Sequence, residues 1–235
     1  MIPVTIRQAW KGTADCAKCA MREMALFADL NEDDFSQIHT PIDDLSYHAN
    51  YRIHAERQKG EFVMTLRRGM VKLVRTTPDG RERIVRVLRQ GDVIGLEALA
   101  SGQYGSEAVA LTDVMVCRIP ISIIKSLSLN SPRIHTRLTE KWSVALQDAD
   151  DWLADLNFGS AYRRVAQLFL KMRHFDRNEL STVFSREDMG AMLDLKLETV
   201  SRTISKMVAD GHIRPVDKSG RVYEIIDANA LNNAI

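Results

Sequence analysis

The stretch FSREDMGAMLDLKLETVSRTISKMVADGHIRPV, residues 184–216, constrains the fold more than any other part of the chain. Ser185, with Asp188 three residues on, is a helix N-cap in capping-box spacing. Met189, Met192 and Leu193 make the inward face of a first helix, and Leu195 is expected to plug the turn after it. A second helix starts near Leu197 and repeats Leu197, Val200, Ile204 and Met207 at helical spacing, with Gly211 as its stop. Two helices joined so closely form a helix-turn-helix, whose second helix can enter a DNA major groove with its N-terminal residues at the base edges.

The outward positions of that second helix are Glu198, Ser201, Arg202, Ser205 and Lys206. Arginine bonds bidentately to guanine, glutamate accepts from cytosine, and serine serves either. Glu198 and Arg202 also stand at i,i+4, the spacing of an ordinary surface ion pair. Lys196, Arg202, Lys206, Arg214, Lys218 and Arg221 against Glu198, Asp210 and Asp217 leave a local surplus of positive charge suited to phosphate. The local surplus matters because the whole chain carries a formal net charge of only +1, which argues against a bulk DNA packager but not against a sequence-specific reader. VDKSGRVYEII then reads as a hairpin turning at Ser219 and Gly220, the place of a wing.

Upstream, from about residue 45 to 121, the pattern is β. Alternating runs at Met70 to Val74 and Ile84 to Leu88 flank TPDG, and DVMVCRIP is a further strand ending at Pro120. Short strands at this spacing predict an antiparallel jelly roll. After Pro132 the period changes: Leu138, Trp142, Ala145, Ala149, Trp152 and Leu156 step by four, three, four, three, four. That is either the seam of a dimerisation helix or an amphipathic helix packed on its own domain. A helix over 138–156 spans about 28 Å. Asp148, Asp150, Asp151 and Asp155 crowd it, and in a parallel dimer they would repel. NFGS at 157–160 reads as a hinge.

The predicted fold is α+β: a cysteine-containing arm (1–30), a β-roll sensor domain (31–132), a dimerisation helix (133–158) and a winged helix-turn-helix domain (159–235). The N-terminus lacks the apolar core of a signal peptide, and three cysteines are too few and odd in number for a secreted disulfide scaffold. Both point to a cytoplasmic protein. Apolar runs stop far short of a membrane span, and HExxH, GxSxG, Walker and Rossmann motifs are all missing, so no enzyme is expected.

A jelly roll, a dimer helix and a winged helix-turn-helix in this order resemble the CRP/FNR transcription regulators. LETVSR resembles the recognition-helix signature E-x-x-S-R of the FNR branch, and GDVIGLEALASG and VMVCRIP resemble its sensor. The resemblance implies that Glu198, Ser201 and Arg202 read a TTGAT-type half-site, twice, in a two-fold symmetric operator. It implies double-stranded DNA, a second copy of the chain and RNA polymerase as partners. Asp194 and Lys196 depart from the usual Gly and Ser/Thr of the turn; Asp tolerates the left-handed conformation, whereas Lys is a poor cap.

Cyclic-AMP-binding relatives carry an Arg-Ser pair after the Gly-rich segment, and here it is Gly105-Ser106, followed by Glu107. A missing cation and an added acid argue against a cyclic nucleotide. FNR-type sensors hold a [4Fe–4S] cluster on four cysteines. Cys16, Cys19 and Cys117 match three of those positions, and the other falls on Ala25, which cannot bind iron. The resemblance therefore implies an iron–sulfur cluster with one non-cysteine ligand, sensing oxygen or redox state. A bare CxxC also serves redox couples and zinc, and a strand cysteine such as Cys117 is by default a packing residue. Sensing by thiols, sensing by haem on one of the scattered histidines, and an inert sensor domain are the alternatives.

Overall fold

The computed structural model describes residues 26–31, 34, 42–174, 177 and 179–233. They fall into two compact units, one built from residues up to Arg75 with Val85–Gln147, the other from Thr76–Ile84 with Asp148 onward. In chain order the first stretch supplies strands β1 (Asp43–Tyr47), β2 (Arg52–His54), β3 (Phe62–Arg68), β4 (Val71–Thr76), β5 (Glu82–Leu88), β6 (Val93–Ile94), β7 (Glu107–Ala110) and β8 (Val114–Pro120). A short helix α1 (Ala98–Ser101) follows β6, and α2 (Ile121–Asn130) and α3 (Pro132–Leu156) follow β8. The strands make two four-stranded sheets, ordered β1-β8-β3-β6 and β2-β7-β4-β5, the jelly-roll pattern expected from the sequence. The long helix begins earlier than its apolar seam, at Pro132, because proline is pre-organised for the first helical turn.

Strand β3 shows how the roll is filled. Its residues Val63 to Leu66 are all buried rather than alternating, so both faces are covered. Met64 and Leu66, with Val116 of the neighbouring β8, face Val71, Leu88, Ala108 and Ala110 of the second sheet. Val63 packs on the opposite side against Ile42, Ile119, Ile124, Leu127 and Ile134, and against Leu26, Phe27 and Leu30 from the N-terminal segment. That segment is also tied by charge: Asp34, its side chain 4% exposed, accepts a 2.9 Å bond from Nε of Arg133, and Asn31 and Asp34 exchange side-chain bonds with each other's amide. These contacts hold the Asp34 carboxyl below its ordinary pKa against the opposing effect of burial.

His54 is 3% exposed, stacks on Tyr104 at 3.7 Å between ring centroids, and makes no side-chain hydrogen bond that meets normal geometry. Burial pushes its imidazole below the ordinary value, so folding selects the neutral ring. The unfolded chain binds the proton more readily, and stability is complete above about pH 6.5 and declines as pH falls from there toward the folded-state value. Urea unfolding compared at about pH 7.5 and about pH 5.5 is expected to show a drop for the natural chain that His54→Phe does not share. Equal drops in both would remove His54 from the account.

The second unit continues with α4 (Ala161–Lys171), β9 (Leu180–Thr182), α5 (Arg186–Leu193), α6 (Leu197–Ala209), β10 (Ile213–Pro215), β11 (Val222–Ile225) and α7 (Ala228–Asn232). The three strands form one antiparallel sheet ordered β10-β11-β9. Phe169 of α4 is fully buried and meets Tyr223 of β11 edge-on at 5.2 Å. Val165, Met189, Leu193, Val200, Ile204 and Met207 complete that core.

Candidate nucleic-acid interface

The interface is built from the start of α5 onward. Ser185 accepts from the Asp188 amide at 3.0 Å and donates to the Asp188 carboxylate at 2.8 Å, the N-terminal box read from the sequence. At the other end of α5, Asp194 takes the left-handed conformation at φ 54°, ψ 48°, which a short acidic side chain tolerates. Gly190 is required by the crossing: a Cβ there would stand 2.6 Å from the carbonyl oxygen of Leu195. Lys196 occupies the N-cap of α6 and supplies no side-chain cap, as its chemistry predicts.

On α6, Val200, Ile204 and Met207 are buried, and the opposite face presents Glu198, Arg202, Ser205 and Lys206 exposed with Ser201 half-buried. Among the described residues no ion pair joins Glu198 to Arg202, so the surface-pair alternative is not what their spacing produces. Leu197, expected to be inward, is 48% exposed at the helix start. Lys206 lies 5.8 Å over the Tyr162 ring, whose hydroxyl meets Nδ1 of His212 at 2.5 Å.

The wing is pre-folded by one carboxylate. Asp217 accepts from the amides of Arg221 at 3.1 Å and Val222 at 2.9 Å, and from the Ser219 hydroxyl. With the Ser219 bond foremost, these contacts hold the Asp217 carboxyl below its usual range. Lys218 and Arg221 stay exposed at the tip, while Arg214 is engaged by Glu224 across the hairpin. A row of outward polar groups on one helix, flanked by a cationic hairpin, can meet base edges and phosphates together.

The α3 seam is distributed differently from the six-residue reading. Leu138, Ala145 and Ala149 are half-buried and Trp142 is 40% exposed, whereas Trp152 and Leu156 are 4% and 2% exposed. Lys171 covers Trp152, with its ammonium 5.8 Å from the ring and 2.8 Å from the Asp155 carboxylate. Leu146 and Leu153 stand open at 66% and 59%. At 100° per residue, Trp142, Leu146, Ala149 and Leu153 share a face within about 60°, a second stripe in 4-3-4 steps that has only Trp142 and Ala149 in common with the six-residue reading.

The iron–sulfur expectation is corrected by the structure. Cys16, Cys19 and Ala25 lie outside the described residues, and among the described residues no group of three or more His, Cys, Asp or Glu side chains could hold a metal ion. Cys117 is half-buried, and strand alternation sets it on the hydrocarbon face with Val63 and Ile119. Its surroundings fit a packing residue, not a ligand set.

The loop after β6 does not fit a cyclic phosphate. Its successive amides are already bonded: Gly102 to the Ala98 carbonyl, Gln103 to the Ser101 hydroxyl, Tyr104 to the Gln58 carbonyl and Gly105 to the Glu97 carboxylate at 3.0 Å. An internal anion thus takes the amide of Gly105, at the position where cyclic-AMP binders carry their arginine. Tyr104 is 3% exposed and donates to the Phe62 carbonyl at 2.8 Å, closing the loop onto the roll.

Comparison with known proteins matches residues 44–130 to the cyclic nucleotide-binding domain and residues 163–234 to the Crp-like helix-turn-helix domain. The fumarate and nitrate reduction regulatory protein of Salmonella typhi is 25% identical over 223 residues, 92% of this chain and 88% of that one. The electron transport regulator A of Shewanella oneidensis is 26% identical over 234 residues, covering 96% and 92%. Among solved structures, FixK2 from Bradyrhizobium japonicum superposes with a TM-score of 0.74 at 26% identity, over 83% of this chain and 97% of that one. A CRP-family transcriptional regulator from Thermus thermophilus gives 0.67 at 22%, over 80% and 94%. Among the described residues no helix is long and apolar enough to cross a membrane.

Proposed function

The chain belongs to the CRP/FNR family of DNA-binding transcription regulators, whose fold is non-catalytic, and from that premise we propose that it binds a two-fold symmetric operator with TTGAT-type half-sites as a homodimer. The observation that carries the reading is the outward face of α6: Glu198 and Arg202 stand exposed on one side of the helix with half-buried Ser201 between them, and no ion pair joins the two charged residues. Arg202 bonds the guanine of each half-site, Glu198 accepts from a cytosine amino group, and Ser201 makes the short contact between them. Ser205 and Lys206, with Lys218 and Arg221 of the wing, meet phosphates. The second copy covers the apolar stripe of α3 made by exposed Trp142, Leu146 and Leu153 with half-buried Ala149.

DNA binding in this reading does not require a cyclic nucleotide, because the loop that would take the phosphate has its amides bonded internally. Fluorescence anisotropy against an inverted TTGAT repeat and a scrambled duplex tests both parts. Preference for the repeat is expected to exceed about a thousandfold and to stay unchanged in saturating cyclic AMP. Equal affinity for both duplexes, or a preference that appears only with cyclic AMP, would overturn it.

A further inference from the structure

The turn that aims α6 is held by two guanidinium groups. Arg164 of α4 donates from Nη1 to the carbonyl oxygen of Leu193, the last residue of α5, at 2.7 Å. Arg83 forms an ion pair with the carboxylate of Asp194, the left-handed residue that ends α5. Arg83 sits near the tip of the β4–β5 hairpin, and residues 76–84 belong to the same compact unit as the helices. Both cations therefore meet the C-terminus of α5, where helix carbonyls lack intrahelical donors and the dipole is negative.

This matters because α6 has little of its own to fix its start. Lys196 offers no side-chain cap, and only two residues, Leu195 and Lys196, separate the Asp194 cap from the first helical residue, Leu197. The Leu195 amide bonds the Gly190 carbonyl at 3.1 Å, and the turn passes so close to Gly190 that a Cβ there would meet the Leu195 carbonyl oxygen at 2.6 Å. A small rotation at Asp194 would swing Glu198, Ser201 and Arg202 together. Nε of Arg164 is buried without a hydrogen-bond partner, and Nη1 of the same guanidinium makes the bond to the Leu193 carbonyl. Arg83 is 29% exposed and rides on strands of the roll's second sheet, so its half of the clamp is continuous with the roll along the chain.

We propose that Arg164 and Arg83 are positioning residues for base reading: together they clamp the end of α5 and set the angle at which α6 presents Glu198, Ser201 and Arg202. The inference rests on the DNA-reading function proposed above. It is tested by anisotropy on the inverted TTGAT repeat and on a scrambled duplex, across a range of salt. Arg164→Met and Arg164→Lys are each expected to lose about tenfold or more in specific affinity, the scale of a charge-assisted hydrogen bond. Non-specific affinity and the salt slope should hold, whereas a phosphate-contacting arginine would lower both duplexes alike and cut the slope by about one per contact. Arg83→Ala and Asp194→Asn should each lose severalfold, and the double variant should be no worse than the weaker single one.

Parallel loss on both duplexes, additive effects of Arg83→Ala and Asp194→Asn, or tighter operator binding by Arg83→Ala would each overturn the clamp. Should the Arg164 variants fail to fold, the more exposed Arg83–Asp194 cycle still decides. A natural chain that does not distinguish the repeat from the scrambled duplex, with Arg202→Ala without effect, would instead remove the DNA-reading function beneath the proposal.

Discussion

Replacing Arg202 with alanine is expected to weaken binding to the inverted TTGAT repeat at least about thirtyfold, while binding to a scrambled duplex changes little. A bidentate arginine–guanine pair is worth about 1–3 kcal/mol of discrimination, and a homodimer loses it at both half-sites, about 2–6 kcal/mol in all. Arg202 is exposed on α6 with no ion pair to Glu198, so its removal costs little in folding. The loss should be confined to the contacted base pair, where the variant stops distinguishing substitutions. A uniform drop on every duplex would make Arg202 a phosphate contact.

The largest stability effect is expected at Phe169. Its ring is fully buried, packs edge-on against Tyr223 at 5.2 Å, and its carbonyl accepts from the Ser181 hydroxyl at 2.8 Å. Phe169→Ala removes a large buried side chain at the junction of α4 and the wing sheet, a change that costs about 3–5 kcal/mol in comparable cores. Each kcal/mol lowers the midpoint of a small domain by about 4–8 °C, so thermal unfolding of the second unit should shift down by more than about 10 °C. Fluorescence of Trp152, buried in the same unit, reports the transition. A shift of only a degree or two would mean that the site collapses around the missing ring or that the packing is looser than described.

The helix-turn-helix was legible because its signals are local. Ser185 and Asp188, the inward methionines, Asp194 and the uncapped Lys196 each state their conformation within a few residues, and all four appear as read. The hairpin at TPDG and the strand ending at Pro120 were equally local. What escaped was built by distance. The Asp34–Arg133 pair joins residues 99 apart, and β9 is three residues long, too short for alternation to register. On α3 two apolar stripes share the same 4-3 stepping, so period alone does not tell that Trp152 and Leu156 are covered within one chain while Leu146 and Leu153 stand open. The α5–α6 turn could be read for its conformation but not for Arg83 and Arg164, whose partners lie 111 and 29 positions away.

The sensor was the least legible part. Matching cysteine positions suggested a cofactor, yet a strand cysteine packed on Val63 and Ile119 looks the same in sequence whether or not it binds anything. The Glu97–Gly105 bond, by contrast, turned an argument from a missing arginine into one from an internal anion already in place.

The central claim is that two copies of α6 read two related half-sites. The direct measurement is a stoichiometric titration of the inverted TTGAT repeat, repeated with one half-site scrambled. Two chains per duplex, specific affinity lost on scrambling either half, and a steep fall in affinity with salt are the expected results. One chain per duplex, or full affinity with a half-site destroyed, would contradict it.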